Sequence, residues 1–400
     1  MATGNTTAGL PSGGAGGERA APAKPRRLPA AALRRQNSLA ARIHRWVGLT
    51  IGLILAVIGL TGSYLAFYPE IETAAIAPLR SSAGAQPESY EGVYQAFTRI
   101  GSPEKGRWNI ELPPDGGVIT ARFGERGNSI RMVSLDPVTL DTVRDVYWGQ
   151  SVSTWIYDLH YQLLMGRPGA TVLGLMGLAI LAMLGAGLVL WWRSGRTARS
   201  RLKFDNKGNG ERKLYDFHRL LGLGTAVLLI VSVATATAMS LPKQFRPLLT
   251  TFSPMVPLPN PQSGEAAARE RIPVDRAIAL VRAARPDADV RWVQVPNGGT
   301  TPYLVRIWQT GEPSFRFPKS RVWLDQYDGR ILAIHNGPQG TATDRILDWL
   351  YPLHAGHAFG LPGRIVVALL GLAPALLFVT GLIRWRRKSA RLAAARRRAA

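Results

Sequence analysis

Four of the six histidines of this chain stand in matched places. His44 opens the stretch His44-Arg45-Trp46-Val47-Gly48-Leu49, and His218 opens His218-Arg219-Leu220-Leu221-Gly222-Leu223, an offset of 218 − 44 = 174. A second correspondence is longer. Trp155, Tyr157, His160, Gly166, Pro168 and Gly169 recur at a constant offset of 194 as Trp349, Tyr351, His354, Gly360, Pro362 and Gly363. Gly187, Trp191 and Arg193 recur at the same offset as Gly381, Trp385 and Arg387. Every copy adjoins an apolar run. Histidine is costly near lipid, and simple anchoring at an interface does not need the same residue in both copies, so paired placement points to metal or haem ligation. Two neutral imidazoles on one iron make a six-coordinate, low-spin centre that changes oxidation state with little rearrangement, which is the chemistry of electron transfer. Zinc is the rival metal, but a structural zinc takes four ligands, and each pair of histidines has at most one more beside it and no cysteine.

The elements that must position these histidines are apolar. About 20 residues each near 47–67, 170–192, 220–241 and 364–383 are free enough of charge to cross roughly 30 Å of hydrocarbon as helices. Zero cysteine excludes thiolate ligands, Cys-held iron-sulfur clusters, covalently attached haem and disulfides. The formal charge of +23 is not spread evenly. Arg26, Arg27, Arg34, Arg35, Arg42 and Arg45 precede the first span, basic residues from Arg193 to Lys213 fill the link between the second and third, and Arg384 to Arg398 follow the fourth. By the positive-inside rule these segments are cytoplasmic and the two long intervening stretches lie outside. The charge is a topology signal, and nucleic-acid binding has no place in the account. Arg34-Arg35 precedes a run too long for a cleaved export signal and without a small-residue cleavage site, so an uncleaved anchor is expected.

On this topology His44 and His218 begin the first and third spans at the cytoplasmic rim, while His160 and His354 precede the second and fourth at the opposite rim. Arg45 and Arg219 follow the inner histidines and serve either as bidentate partners of haem propionates or as positive-inside anchors. Arg167 and Arg364 flank the outer glycine-proline turns and have the same two readings. His357 stands three residues after His354, where the first copy has Leu163, and reads as an alternative axial ligand, a proton donor, a substrate contact or a plain interfacial residue. His335 is expected at the surface. Trp155, Tyr157, Trp349 and Tyr351 read mostly as interfacial aromatics. Glycines 52, 59, 62, 174, 177, 185 and 187 are expected to let helices approach closely.

Each outer stretch reads as a small α+β module. In the second, Val274 to Ala284 has helical spacing, and extended runs follow at Val290–Val295, Tyr303–Trp308, Arg321–Leu324 and Ile331–Ile334 around the turn Asp325 to Arg330. The first has a helix near Tyr90–Ile100, strands near Trp108–Leu112, Val118–Phe123 and Ile130–Ser134, and Asp136-Pro137-Val138-Thr139-Leu140 at the equivalent turn. One helix on an antiparallel sheet gives each module a single buried face.

The pattern Val274-Asp275-Arg276-Ala277-Ile278-Ala279-Leu280 with Val322-Trp323-Leu324-Asp325 and Asp328-Gly329 resembles a PepSY domain. Leu159-His160 through Leu164, Gly166, Gly169, Gly187 and Trp191, together with His44-Arg45-Trp46 leading to Thr61-Gly62, resembles the PepSY-associated transmembrane family over most of residues 40–388. In the third span Ala234-Thr235-Ala236-Thr237 stands where the family has Thr-Gly. The resemblance implies a bacterial inner-membrane protein tied to iron acquisition, of a family that includes di-haem reductases releasing iron from ferric siderophores.

The expected architecture is a four-helix transmembrane bundle with two periplasmic PepSY-like modules. A disordered basic cytoplasmic tail (1–38) precedes TM1 (44–68) and module 1 (69–154). An interfacial helix plus TM2 (155–192), a basic cytoplasmic loop (193–213) and TM3 (215–241) follow. Module 2 (242–346), an interfacial helix plus TM4 (347–385) and a basic tail (386–400) complete it. Both termini are cytoplasmic. The expected function is reduction of a ferric siderophore or other Fe(III) chelate at the periplasmic face by two b haems, held by His44 with His218 and by His160 with His354, with His357 at the substrate. Hydroxamate and catecholate oxygens hold Fe(III) far better than Fe(II), so reduction releases the metal. With no GxGxxG fingerprint and a short cytoplasmic link, electrons must come from a cytoplasmic protein or the quinone pool. The contrasting expectation is a membrane-anchored peptide- or protease-binding module without enzymatic activity. No nucleophilic or zinc-protease motif is present.

Overall fold

Uncharged apolar sequence leaves the backbone no partner but itself in lipid, so each such run closes its hydrogen bonds as a helix. In a computed structural model describing residues 1, 4, 30–75, 84–125, 130–193, 197, 202–264 and 270–399, three helices are long and apolar enough to span a membrane. They are α6 (Arg167–Trp192), α7 (Gly210–Ser240) and the apolar part of α11 (Gly360–Ala399). The first span is not one straight helix over 44–68. It is a pair, α1 (Ala30–Thr50) and α2 (Gly52–Leu65), bent by 61° between Leu39–Thr50 and Gly52–Leu65. At the bend the Thr50 hydroxyl donates back to the Trp46 carbonyl, and Gly52 lies so near the Phe378 ring that a Cβ would meet it at 3.0 Å. Counting this pair as one span gives four.

Two other boundaries differ from expectation. Of the tail over 1–38, residues 2, 3 and 5–29 lie outside the described residues, but 30–38 already belong to α1, whose Ala, Leu and Arg are strong helix formers. The basic tail after 386 likewise continues α11 to Ala399, since a helix already nucleated propagates through Arg, Lys and Ala. Residues 194–196 and 198–201 of the basic link, with Arg196, Arg199 and Arg201, also lie outside the described residues.

The spans form a ring in which the first packs on the second and fourth, and the third on the same two. First and fourth meet at Gly59 and Gly371, where a Cβ on either would collide with the other's carbonyl oxygen, and the Ser63 hydroxyl donates to the Ala368 carbonyl at 2.7 Å. Gly185, by contrast, has open space beside it.

The two outer stretches do not form separate modules. Helix α4 (Tyr90–Ile100) with β1 (Gly106–Glu111), β2 (Ile119–Glu125), β3 (Ile130–Leu135) and β4 (Thr142–Tyr147) is one half. Helix α9 (Val274–Ala284) with β5 (Asp289–Gln294), β6 (Tyr303–Trp308), β7 (Ser320–Leu324) and β8 (Ile331–His335) is the other. All eight strands make one antiparallel sheet, ordered β4-β3-β2-β1-β5-β6-β7-β8 and joined through Asn109↔Gln294, Ile110↔Val293 and Glu111↔Trp292. A single apolar core, including Phe97, Trp108, Phe123, Ile278, Val293 and Ile307, runs under both helices. Joining the halves covers edges that β1 and β5 would otherwise expose.

The helix starts are capped across the join. The Asp275 carboxylate accepts from the Ser89 hydroxyl at 2.7 Å and the Tyr90 and Glu91 amides at 2.9 and 2.8 Å. Glu91 in turn accepts from the Val274 amide at 2.8 Å and pairs with Arg271. Two amphipathic helices then lead from sheet to bundle, α5 (Val152–Gln162) and α10 (Ala342–His354), each begun by a capping box, Ser151 with Thr154 and Thr341 with Asp344. Short helices α3 (Tyr68–Ala75) and α8 (Pro242–Thr250) follow the first and third spans.

Candidate functional site

Helix α5 carries His160 and α10 carries His354 in their last turns. The capping boxes fix where each helix begins, and the first and third spans receive the side chains. The two imidazole centroids lie 6.0 Å apart. At the end of the bundle remote from the sheet, His44 of α1 and His218 of α7 lie 6.2 Å apart with ring planes at 86°. All four sequence-derived ligands are therefore brought together in the expected pairs. Along the unbroken α7, His218 is separated from Thr235, which touches His354, by 235 − 218 = 17 residues, or about 25 Å at 1.5 Å per residue.

Each ring is held by one nitrogen. His160 Nδ1 is 3.0 Å from the Thr61 hydroxyl. His354 Nδ1 is 3.0 Å from the Ser232 carbonyl and 3.4 Å from the Thr235 hydroxyl. His218 Nδ1 is 2.8 Å from the Thr380 hydroxyl, and His44 Nδ1 is 3.1 Å from the Met183 carbonyl. Thr61, Thr235 and Thr380 are themselves tied back to carbonyls of their own helices. The fourth equivalent position is Ala186, so His44 relies on the carbonyl alone. Small residues make room for the rings: a Cβ on Gly62 would lie 2.9 Å from His160 Cε1, and one on Gly187 would lie 3.1 Å from His44. Sequence reading named Gly62 and Gly187 as packing glycines and missed these threonines as histidine partners, although Thr61 and Thr235 share the offset of 174.

This arrangement fits a metal held between two imidazoles. A bond of about 2 Å from metal to nitrogen, with roughly 1 Å more to the ring centre, sets two opposed imidazole centroids about 6 Å apart. Fixing Nδ1 against a carbonyl or hydroxyl leaves Nε2 as the ligating atom, the usual arrangement around a ligand histidine. Among the described residues no three of His, Asp and Glu converge into a closed metal site.

A cavity of about 1500 Å³ surrounds the His160 and His354 pair and reaches from the apolar interior of the bundle, at Ile58, Gly177 and Val233, to the sheet at Glu111 and Arg291. Arg167 is exposed and lines it. Arg364 lines it too, but its guanidinium is committed to the Ala66 carbonyl at 2.7 and 2.9 Å and to Glu70 at 2.7 Å, closing the end of the first span. The matched Arg45 and Arg219 also diverge. Arg45 is exposed over the Trp46 ring. Arg219 is 8% exposed, pairs with Asp216 at 2.9 Å and donates to the Lys203 carbonyl, while its Nε and Nη1 are buried without a hydrogen bond.

His357 is not on the His354 face. Helix α10 ends at His354, Gly356 adopts a left-handed φ of 76°, and His357 starts a separate 3-10 turn with its ring 5.6 Å from Tyr351. It lines the cavity together with Arg364 and Glu70 and is paired with neither metal-ligand candidate there. The interfacial aromatics divide as well: Trp155 and Trp349 are exposed, whereas Tyr157 and Tyr351 turn inward to the sheet. His335 is half-buried on β8.

A comparison with curated proteins gives no match. The profile of the PepSY-associated TM region matches residues 41–388, which takes in all four spans, the whole sheet and both histidine pairs. A membrane helical bundle with paired histidines, carrying an antiparallel sheet and matched over nearly its whole length, belongs to the PepSY-associated TM region family.

Proposed function

We propose that this chain is a haem-dependent electron-transfer protein of the bacterial cytoplasmic membrane that reduces an Fe(III) chelate, such as a ferric siderophore, on the sheet side of the bundle. The observation that carries this reading is the meeting of His44 with His218 and of His160 with His354 at about 6 Å, each ring anchored through Nδ1. Bound between such imidazoles, a b-type haem supplies a one-electron couple with its ligand set unchanged.

The carbonyls of Met183 and Ser232 and the hydroxyls of Thr61 and Thr380 orient the imidazoles. Arg219, with two buried nitrogens lacking partners, is the propionate contact at the sheet-distal end, and Arg167 serves at the sheet-proximal end. Arg45 acts as an anchor, and Arg364 holds the wall of the cavity. His357 faces the cavity as a substrate contact or proton donor. The basic segments support a cytoplasmic position for the sheet-distal end and both termini, where a soluble donor or the quinone pool delivers electrons.

The test is a reduced-minus-oxidised absorption spectrum of protein expressed with ample haem. Two non-covalent b haems per chain are expected. His44→Ala and His218→Ala should each remove one, and His160→Ala and His354→Ala the other. A colourless protein, or four variants that all keep two low-spin centres, overturns the reading.

A further inference from the structure

Between the sheet and the bundle lies a second cavity of about 250 Å³, and its lining combines cations with flat apolar walls. Arg122 of β2 sits among three rings, 5.1 Å from Trp292, 5.9 Å from Phe317 and 6.0 Å from Trp148, and its Nε is buried with no hydrogen bond. On the same face, Arg306 stands directly opposite Arg321 in the β6–β7 ladder, an unfavourable placement of like charges. Arg321 Nε is also buried without a partner. Burial first, then Arg321 and Arg122, push Arg306 down to about 10.

Two carboxylates stand nearby, and Asp348 also favours the Arg321 charge without forming a close pair with it. Glu111 pairs with Arg316 at 3.1 Å, and Asp348 lies 3.8 Å from Lys319. Among the described residues no carboxylate pairs with Arg122, Arg306 or Arg321. Of these three arginines Arg122 lines the cleft, and a buried cation left in this state favours an anion that completes it. The walls narrow the choice. An inorganic anion leaves the apolar lining at Trp148, Phe317, Tyr157 and Tyr351 uncovered, and a neutral aromatic leaves Arg122 Nε unsatisfied.

We propose that this cleft binds a planar aromatic anion, an aryl carboxylate arm. The proposal rests on the reading of the chain as a ferric-chelate reductase and names the chelate class. Tyr68, Tyr157 and Tyr351 border both this cleft and the larger cavity around His160 and His354. An arm seated against Arg122 therefore leaves the remainder of its chelate in the larger cavity, beside the sheet-proximal histidine pair. The volume suits one substituted ring, below the roughly 300 Å³ at which pockets begin to take drug-sized ligands.

The probe is iron-free 2,3-dihydroxybenzoate, titrated calorimetrically into the full chain in detergent. Saturable binding is expected, weakened about ten-fold or more in Arg122→Gln, with Arg122→Lys between the two because it keeps the charge and loses the fork. The neutral 2,3-dihydroxybenzamide and inorganic phosphate should each bind at least about ten-fold more weakly than the probe to the unaltered protein, a comparison that holds even if Arg122→Gln does not fold. No saturable binding, equal binding of the amide, equal binding of phosphate, or a folded Arg122→Gln with unchanged affinity overturns the proposal. Haem content measured on the same samples separates the two readings. Probe binding without haem keeps the cleft and removes the reductase, and haem without probe binding does the reverse.

Discussion

Replacing His354 by alanine removes an imidazole whose Nδ1 is held 3.0 Å from the Ser232 carbonyl and whose ring faces His160 at 6.0 Å. Replacing His357 removes a ring that belongs to a separate turn beside Tyr351. The expected outcome is that His354→Ala loses one of two haems while His357→Ala keeps both and loses most of its chelate-reduction rate. Haem-to-protein ratio and single-turnover reoxidation measure the two effects. At this scale the histidine pairing was legible because histidine is rare beside apolar runs and the internal repeat shows it twice. The threonines were not, because hydroxyls are common in spans, where they bond back to their own helix, and Ala186 breaks the repeat at one of the four places. The division of the arginines was equally hidden. Arg45 and Arg219 match in sequence, yet Asp216, three residues before Arg219, draws only the latter inward.

Among the elements, α4 and α9 depend on each other for their N-termini. Burial disfavours the Asp275 charge, but the Ser89 hydroxyl and the Glu91 and Tyr90 amides outweigh it and hold the carboxyl below its usual range. A depressed carboxyl stabilises the fold above its unfolded pKa of about 3.9 and loses that contribution as pH falls through its lower folded value. Asp275→Asn should therefore melt earlier than the parent at pH 7, by an amount matching roughly 1 kcal/mol for a lost cap. The gap should close below about pH 4. Thermal melts followed by circular dichroism across pH check this, and a deficit that stays constant into acid contradicts it. The helix Val274–Ala284 and the strand Tyr303–Trp308 were readable from apolar spacing. Strand β4 was not, since Thr142–Tyr147 buries no residue fully and shows no clean alternation. Nor was the joining of two modules into one sheet, because the β1–β5 pairing is a contact between segments nearly two hundred residues apart and leaves no local trace.

For the whole molecule, the histidine pairs lie near opposite ends of the bundle, and the His160 and His354 pair shares a cavity with the sheet. On the proposed function, electrons entering from the basic side pass the His44 and His218 pair first. In proteoliposomes given a reductant inside, an impermeant Fe(II) trap outside should report iron release, and His44→Ala as well as His354→Ala should abolish it. A signal that survives His44→Ala would mean that the sheet-proximal pair is refilled by another route. The bundle itself was legible from run length and basic clusters, whereas the bend of 61° in the first span was not, because hydropathy carries no direction.

Each histidine pair draws one member from residues before the basic link and one from residues after it, and the antiparallel β1–β5 ladder joins the same two parts. The chain is thus built like a dimer whose subunits happen to be covalently tied, with both histidine pairs lying on the seam. Neither part alone owns a complete histidine pair. Fragments cut in the link and produced separately should be colourless, and the same fragments made in one cell should reassemble along the sheet and take up haem together, read by co-purification and a Soret band. Colour in either fragment alone would place a ligand pair on one side of the seam.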